Sequence, residues 1–185
     1  MSLGPEQRFE LLELARASIE AALRLGDRIE PPGEPRNAEL RRPGASFVTL
    51  RVGEDLRGCC GPIEATRPLH LDVWNNAWAS AFADPRFPAL TPEEWAGTGI
   101  QISVLSEPER CEVLSELELL EVLQPGRDGV ILQAAGRRST FLPAVWEQLP
   151  DPRQFIRHLK LKAGWPADFW PPDMRVWRYT TESFG

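Results

Sequence analysis

Ser46-Phe47-Val48-Thr49-Leu50-Arg51-Val52-Gly53-Glu54-Asp55-Leu56-Arg57-Gly58-Cys59-Cys60 is the stretch that decides the fold. Ser46 to Val52 is rich in branched and aromatic residues, Gly53-Glu54-Asp55 is turn-forming, and Leu56 to Cys60 returns as a second arm, so the segment predicts a β-hairpin. In an extended arm, side chains alternate between faces. Arg57 and Cys59 then share one face, and Leu56 and Cys60 share the other. A guanidinium beside a thiol favours the thiolate, which makes Cys59 the candidate nucleophile and Arg57 the residue that activates it. Cys60, on the leucine side, reads as a small apolar packing residue. The competing reading is structural, a cysteine that only packs near the turn bracketed by Gly58 and Gly61.

Outward from the hairpin, Pro5 to Leu25 has the spacing of an amphipathic helix that ends at Gly26-Asp27 and should lie on a sheet. The proline- and glycine-rich run from Pro31 to Gly44 predicts a surface connection. Pro68 to Ala83 predicts a second helix, with Trp74, Trp78, Ala81 and Phe82 as its apolar face and Asp72, Asn75, Asn76 and Ser80 as its polar residues; Asp84-Pro85 stops it. Ile100 to Leu105 reads as a strand, and Gly129–Ala134 with Ser139–Leu142 reads as a second hairpin around Gly136. Asp151-Pro152-Arg153-Gln154 starts a helix that carries Phe155, Ile156, Leu159 and Ala163 inward and ends at Gly164. Met174 to Tyr179 is read as the closing strand. Hairpins interleaved with helices, without strict strand–helix alternation, predict an α+β fold with largely antiparallel sheet.

At 185 residues the chain can bury roughly 70% of its unfolded surface, enough for one core or two small ones. Three cysteines, two of them adjacent, fit a reducing setting and require no disulfide framework. Glu6, Arg8, Glu10, Glu13 and Arg16 interrupt the first twenty residues, unlike a signal peptide, and no run is apolar enough to span a bilayer. A cytoplasmic protein without membrane association is expected. The net charge of −6 and the scattered basic residues argue against nucleic-acid binding. The seven tryptophans suit half-buried seams.

Few residues carry candidate chemistry. His70 and His158 are the only histidines, no His-x-x-x-His pair occurs, and adjacent cysteines cannot close on one zinc, so no metal is expected. No phosphate-cradling glycine motif and no cofactor signature is present. Arg86, in Asp84-Pro85-Arg86-Phe87-Pro88, is either part of a rigid capped corner or an anion ligand, since its planar fork suits a carboxylate or phosphate. Of Asn75 and Asn76, at most one can face a site. Lys162 near a helix C-terminus is explained by the helix dipole, with substrate binding as the alternative. The enzyme reading assigns catalysis to Cys59 and Arg57 and contacts with an unknown small molecule to Gly58, Gly61, Arg86 and Asn75. A reading from a different class is a non-catalytic docking module that uses tryptophan and arginine as anchors.

Leu56-Arg57-Gly58-Cys59-Cys60-Gly61, with Phe47-Val48-Thr49-Leu50 upstream and Asp84-Pro85-Arg86-Phe87-Pro88 downstream, resembles the AMMECR family. The resemblance continues through Ile102–Ser106, Gly129–Leu132, Phe141-Leu142-Pro143 and Lys162-Ala163-Gly164, so it spans nearly the whole chain, residues 1–185, as one AMMECR-like domain. The family hexapeptide usually carries isoleucine where this chain has Cys60, a departure that favours packing for Cys60. Lys160 stands near a place where many members carry another cysteine. The resemblance implies two unequal subdomains forming a cleft partly lined by the Arg-Gly-Cys segment. It also implies a Memo-like or radical-SAM protein as partner, and no established reaction.

Overall fold

The hairpin forms as read. In the computed structural model, which describes residues 3–31 and 33–185, β1 (Ser46–Val52) and β2 (Asp55–Cys60) pair antiparallel across a turn in which Gly53 has φ of +59°. Pro32, within the expected surface connection, lies outside the described residues. The chain divides into two compact units. One runs through Leu105 and takes back Glu182–Gly185; the other is Ser106–Thr181.

In the first unit the sheet order is β2-β1-β3-β8, with β3 (Thr98–Leu105) antiparallel to β1 along its whole length and β8 (Thr181–Phe184) at the far edge. Alternation along β1 buries Ser46, Val48 and Leu50. Val48 and Leu50 join Leu11 and Ile19 of α1 (Pro5–Leu25), Val73 and Ala77 of α2 (Leu69–Phe82) and Ile102 in one apolar cluster. α1 starts with the Gly4 amide donating to Gln7 Oε1 (2.7 Å) and stops at left-handed Gly26, whose amide returns to the Ala22 carbonyl (2.8 Å). The connection from Pro31 onward does contain a short 3₁₀ turn, Ala38–Arg41, because Leu40 is fully buried and draws the chain inward.

α2 departs from its expected polarity. Asp72, Asn76 and Ser80 are buried, while Trp78 and Phe82 are only half-buried. Residues four apart share one helix stripe, and this stripe faces the hairpin backbone. Asp72 Oδ2 accepts from the Ser46 amide and hydroxyl (2.8 Å each), and Asn76 Nδ2 donates to the Ser46 carbonyl (2.9 Å). The Ser80 hydroxyl accepts from the Cys60 amide (2.9 Å) and donates to the Val48 carbonyl (2.7 Å), bridging the Val48–Cys60 pair. Each such bond contributes about 1 kcal/mol net, and a buried group left unpaired costs about 1–3 kcal/mol.

The second unit carries the sheet order β4-β7-β5-β6, from β4 (Glu109–Cys111), β5 (Gly129–Ala134), β6 (Arg137–Phe141) and β7 (Arg175–Tyr179), all antiparallel. β7 is therefore an interior strand, and the closing strand is β8, which joins the first unit's sheet. α4 (Glu116–Val122) and α5 (Pro152–Lys162) belong to this unit, and Asp151 caps α5 by accepting from the Arg153 and Gln154 amides (2.8 and 3.0 Å). The core centres on Trp146 stacked on Phe155, with ring centroids 3.7 Å apart. Lys160 is fully buried and pairs with Glu116 at 2.6 Å. Lys162 does not cap its own helix: its Nζ donates to the Thr140 carbonyl (2.9 Å) beside the Phe141 ring, and burial lowers its pKa. The α+β class and antiparallel sheets agree with the sequence reading.

Gly58 lets α2 approach the hairpin, since a Cβ there would sit 2.0 Å from the Ser80 carbonyl oxygen. Gly58→Ala is expected to lower the unfolding free energy by about 1–3 kcal/mol in urea titration. Gly97→Ala, where a Cβ would meet nothing nearer than 3.9 Å, should stay within about 0.5 kcal/mol of wild type.

Candidate functional site

The cysteine motif lies on β2, an edge strand. Its alternation is broken by a bulge. Leu50 pairs with Gly58 but Arg51 pairs with Leu56, so Arg57 is an extra residue without a cross-strand partner. The bulge turns Arg57 away from the position that alternation gives it beside Cys59. The residue is 8% exposed, and its guanidinium forks onto Glu94 through Nε (2.8 Å) and Nη2 (2.9 Å), with the Phe87 ring centroid 5.9 Å away. Glu94 also closes the capping box of α3 (Pro92–Trp95), accepting from the Thr91 amide at 3.0 Å. The hydrogen bond from Arg57, then that from Thr91, holds the Glu94 carboxyl down at about 2, and the same Glu94 bond raises Arg57. Arg57 Nη1 remains buried without a hydrogen-bond partner.

Cys59 is held from three directions. Its amide donates to Asp84 Oδ2 (2.9 Å), its carbonyl accepts from Arg86 Nη2 (3.2 Å), and its half-buried thiol accepts from Thr49 Oγ1 (3.3 Å) across the ladder. Asp84 is buried and accepts three further bonds from Arg86: backbone N, Nε and Nη2, at 3.1, 2.9 and 2.7 Å. Those bonds, the Arg86 side chain's first, keep the Asp84 carboxyl well below the usual carboxylate range. Arg86 itself is half exposed. Its Nη1 makes no hydrogen bond among the described residues, and its guanidinium also lies over the Phe87 ring, at 5.5 Å. The guanidinium that serves Cys59 is thus Arg86, with its inner edge neutralised by Asp84 and its outer edge open. Burial first, then the Asp84 charge, pushes the Cys60 thiol up.

The remaining expected residues have these places. Gly58 packs on the Ser80 carbonyl, and Gly61 on Ser46 and Phe47, where a Cβ would fall 2.2 Å from the Ser46 carbonyl oxygen. Asn75 bonds Leu71 O (2.7 Å) and Arg28, and makes no bond to the motif. His70 is buried with Nδ1 on the Leu40 carbonyl (3.0 Å), and His158 is exposed. Among the described residues no group of three or more His, Cys, Asp or Glu side chains converges to hold a metal, and no helix is long and apolar enough to cross a membrane. Cavities of about 310, 210 and 400 Å³ in the first unit are lined by residues other than Cys59, Arg57 and Arg86. From sequence, Ser80 is only a polar helix residue and Asp84 only a helix stop and capped corner, and Thr49 and Glu94 are assigned no site role; the four-residue spacing of Asp72, Asn76, Ser80 and Asp84 is the available signal for the first two.

Two α+β units, each with a four-stranded antiparallel sheet and a helix-pinned cysteine hairpin in the first, define the class of protein. The AMMECR1 family model matches residues 12–184, and the chain belongs to that family. It is 34% identical over 189 residues to a protein of Methanothermobacter thermautotrophicus, covering 100% of this chain and 98% of the relative. To a Thermotoga maritima protein it is 36% identical over 168 residues, covering 90% and 91%. The crystal structure of an uncharacterized protein from Pyrococcus horikoshii superposes with a TM-score of 0.83 at 34% identity, covering 94% of this chain and 88% of that one.

A carboxyl held below its unfolded value stabilises the fold above the unfolded pKa, and that stabilisation disappears as the pH falls through the folded one. For Glu94 that window runs from 4.5 down to about 2. Glu94→Gln should flatten the fall in stability across this window, measured as urea midpoints at stepped pH. An unchanged slope would show that the Arg57–Glu94 pair is not coupled to folding.

Proposed function

We propose that the chain binds a small carboxylate- or phosphate-bearing compound at the edge of β2. Arg86 is the anion ligand, and the Cys59 thiol beside it is the reactive group toward an electrophilic centre in the bound compound. The observation that carries this reading is the divided guanidinium of Arg86, which fastens Asp84 and the Cys59 carbonyl with one edge and leaves Nη1 free. Among the described residues Nη1 keeps its N–H groups for an added acceptor, and a charged donor of this kind suits a carboxylate or phosphate oxygen. Gly58 and Gly61 support the site by permitting close approach of the backbones. Arg57 supports it by locking the bulge to Glu94. Asn75 stands outside this group.

A docking role is the second reading, and Leu114 and Leu117 favour it. They flank the start of α4 and are 88% and 61% exposed. A Memo-like or radical-SAM protein, the partner type that the family resemblance implies, would cover them. Copurification of such a partner with wild type and its loss with Leu117→Ser would support docking.

Iodoacetamide labelling followed by peptide mass spectrometry tests the first reading. At pH 8 Cys59 should be alkylated before Cys60 and Cys111, because burial pushes the thiols of both upward. Inorganic phosphate should slow the labelling of Cys59 in wild type and not in Arg86→Gln. Equal rates for the three thiols, or phosphate-insensitive labelling, would contradict the proposal.

A further inference from the structure

The second unit holds a polar hollow of about 180 Å³ whose charged walls are Glu109, Arg127, Asp128 and Arg178, with Ser106 and Gln124 between them. Drug-sized ligands occupy roughly 300–1,000 Å³, so this hollow suits something much smaller. Arg178 is fixed on three sides: Nε donates to Cys111 Sγ (3.1 Å), and Nη1 donates to the Val122 carbonyl (2.6 Å) and reaches Asp128 Oδ2 (3.4 Å). Its Nη2 makes no hydrogen bond among the described residues. Burial pushes the Cys111 thiol up, so the charge facing Arg178 comes from Asp128 and not from Cys111. Arg127 binds Gln124 Oε1 through Nη1 (2.6 Å) and likewise keeps Nη2 free.

The acids are arranged to match. Asp128 is 5% exposed, and its Oδ2 accepts from the Gln124 amide (3.0 Å) while Oδ1 has no partner among the described residues. Glu109 is the cross-strand partner of Arg178 in the β4–β7 pair and its side chain forms no ion pair or hydrogen bond among the described residues. Residues directly opposite in an antiparallel pair present their side chains on the same face. The hollow therefore carries two cations and two anions with free valences, a pattern that complements a ligand bearing both charges better than a simple anion.

We propose that this hollow binds the zwitterion of a small free α-amino acid, with its carboxylate on Arg178 and Arg127 and its ammonium on Glu109 and Asp128. Nothing in this assignment depends on Cys59. The test is two-dimensional NMR titration with L-alanine, with acetate and methylammonium as single-charge probes. Glu109→Gln and Arg127→Gln are the informative variants, because both side chains are exposed and lie outside the core; circular dichroism checks their fold. L-alanine should shift the amides of Gln124, Asp128 and Thr180, and each variant should weaken it by roughly tenfold, the equivalent of about 1.4 kcal/mol. Both single-charge probes should bind more weakly than L-alanine. The proposal is overturned if L-alanine leaves those amides unmoved, if both variants bind it as wild type does, or if acetate binds as tightly, which would make the hollow a plain anion site.

Discussion

One stripe of polar side chains, Asp72, Asn76, Ser80 and Asp84, organises the first unit by spending its hydrogen bonds on the backbone of the β1–β2 hairpin. It engages Ser46, Val48, Cys59 and Cys60 in turn. A buried polar group that loses its partner costs about 1–3 kcal/mol, so the bonds of the stripe favour one register and depth for α2 on the sheet. Gly58 and Gly61 are the counterpart of that closeness, since any side chain at either position would collide with backbone oxygen. The hairpin's glycine–cysteine motif is in this sense the imprint of a helix.

Placement of Cys59 follows from the same constraint. Its amide and carbonyl are both held by the Asp84–Arg86 pair, so the thiol is presented from a backbone that cannot drift, and the nearest charges come as a matched acid and base. Arg57, which the motif places two residues away, is taken up by Glu94 and the bulge. The charge available to a ligand is the outer edge of Arg86, which reaches the motif from the loop after α2 and not from the strand itself.

Much of the fold was legible because its signals are local. The Ser46–Cys60 hairpin, the Gly26 stop and the Asp151 cap each depend on a few neighbouring residues of fixed backbone preference. β4, α3 and α4 are three to seven residues long, too short to establish a period, and β8 is paired by a chain return that no local pattern encodes. At the site, Cys59 and Arg86 were visible as residue types, but the bulge was not. One inserted residue without a partner flips the facing of everything before it, so the Arg57–Cys59 neighbourhood read from strict alternation was replaced by Arg57–Glu94. The sequence marks Asp72, Asn76 and Ser80 as polar residues of α2 without saying what they face; their four-residue spacing puts them under the hairpin.

Amide hydrogen exchange at Cys60 in wild type and Ser80→Ala measures the stripe most directly, because the Ser80 hydroxyl is the acceptor for that amide. Loss of the acceptor for this amide, together with the Ser80 bond to the Val48 carbonyl, should cut Cys60 protection by roughly tenfold, about 1.4 kcal/mol, while Ile102 in the sheet centre keeps its protection. Unchanged exchange at Cys60, or equal loss at both amides, would contradict a hairpin held locally by the polar face of α2.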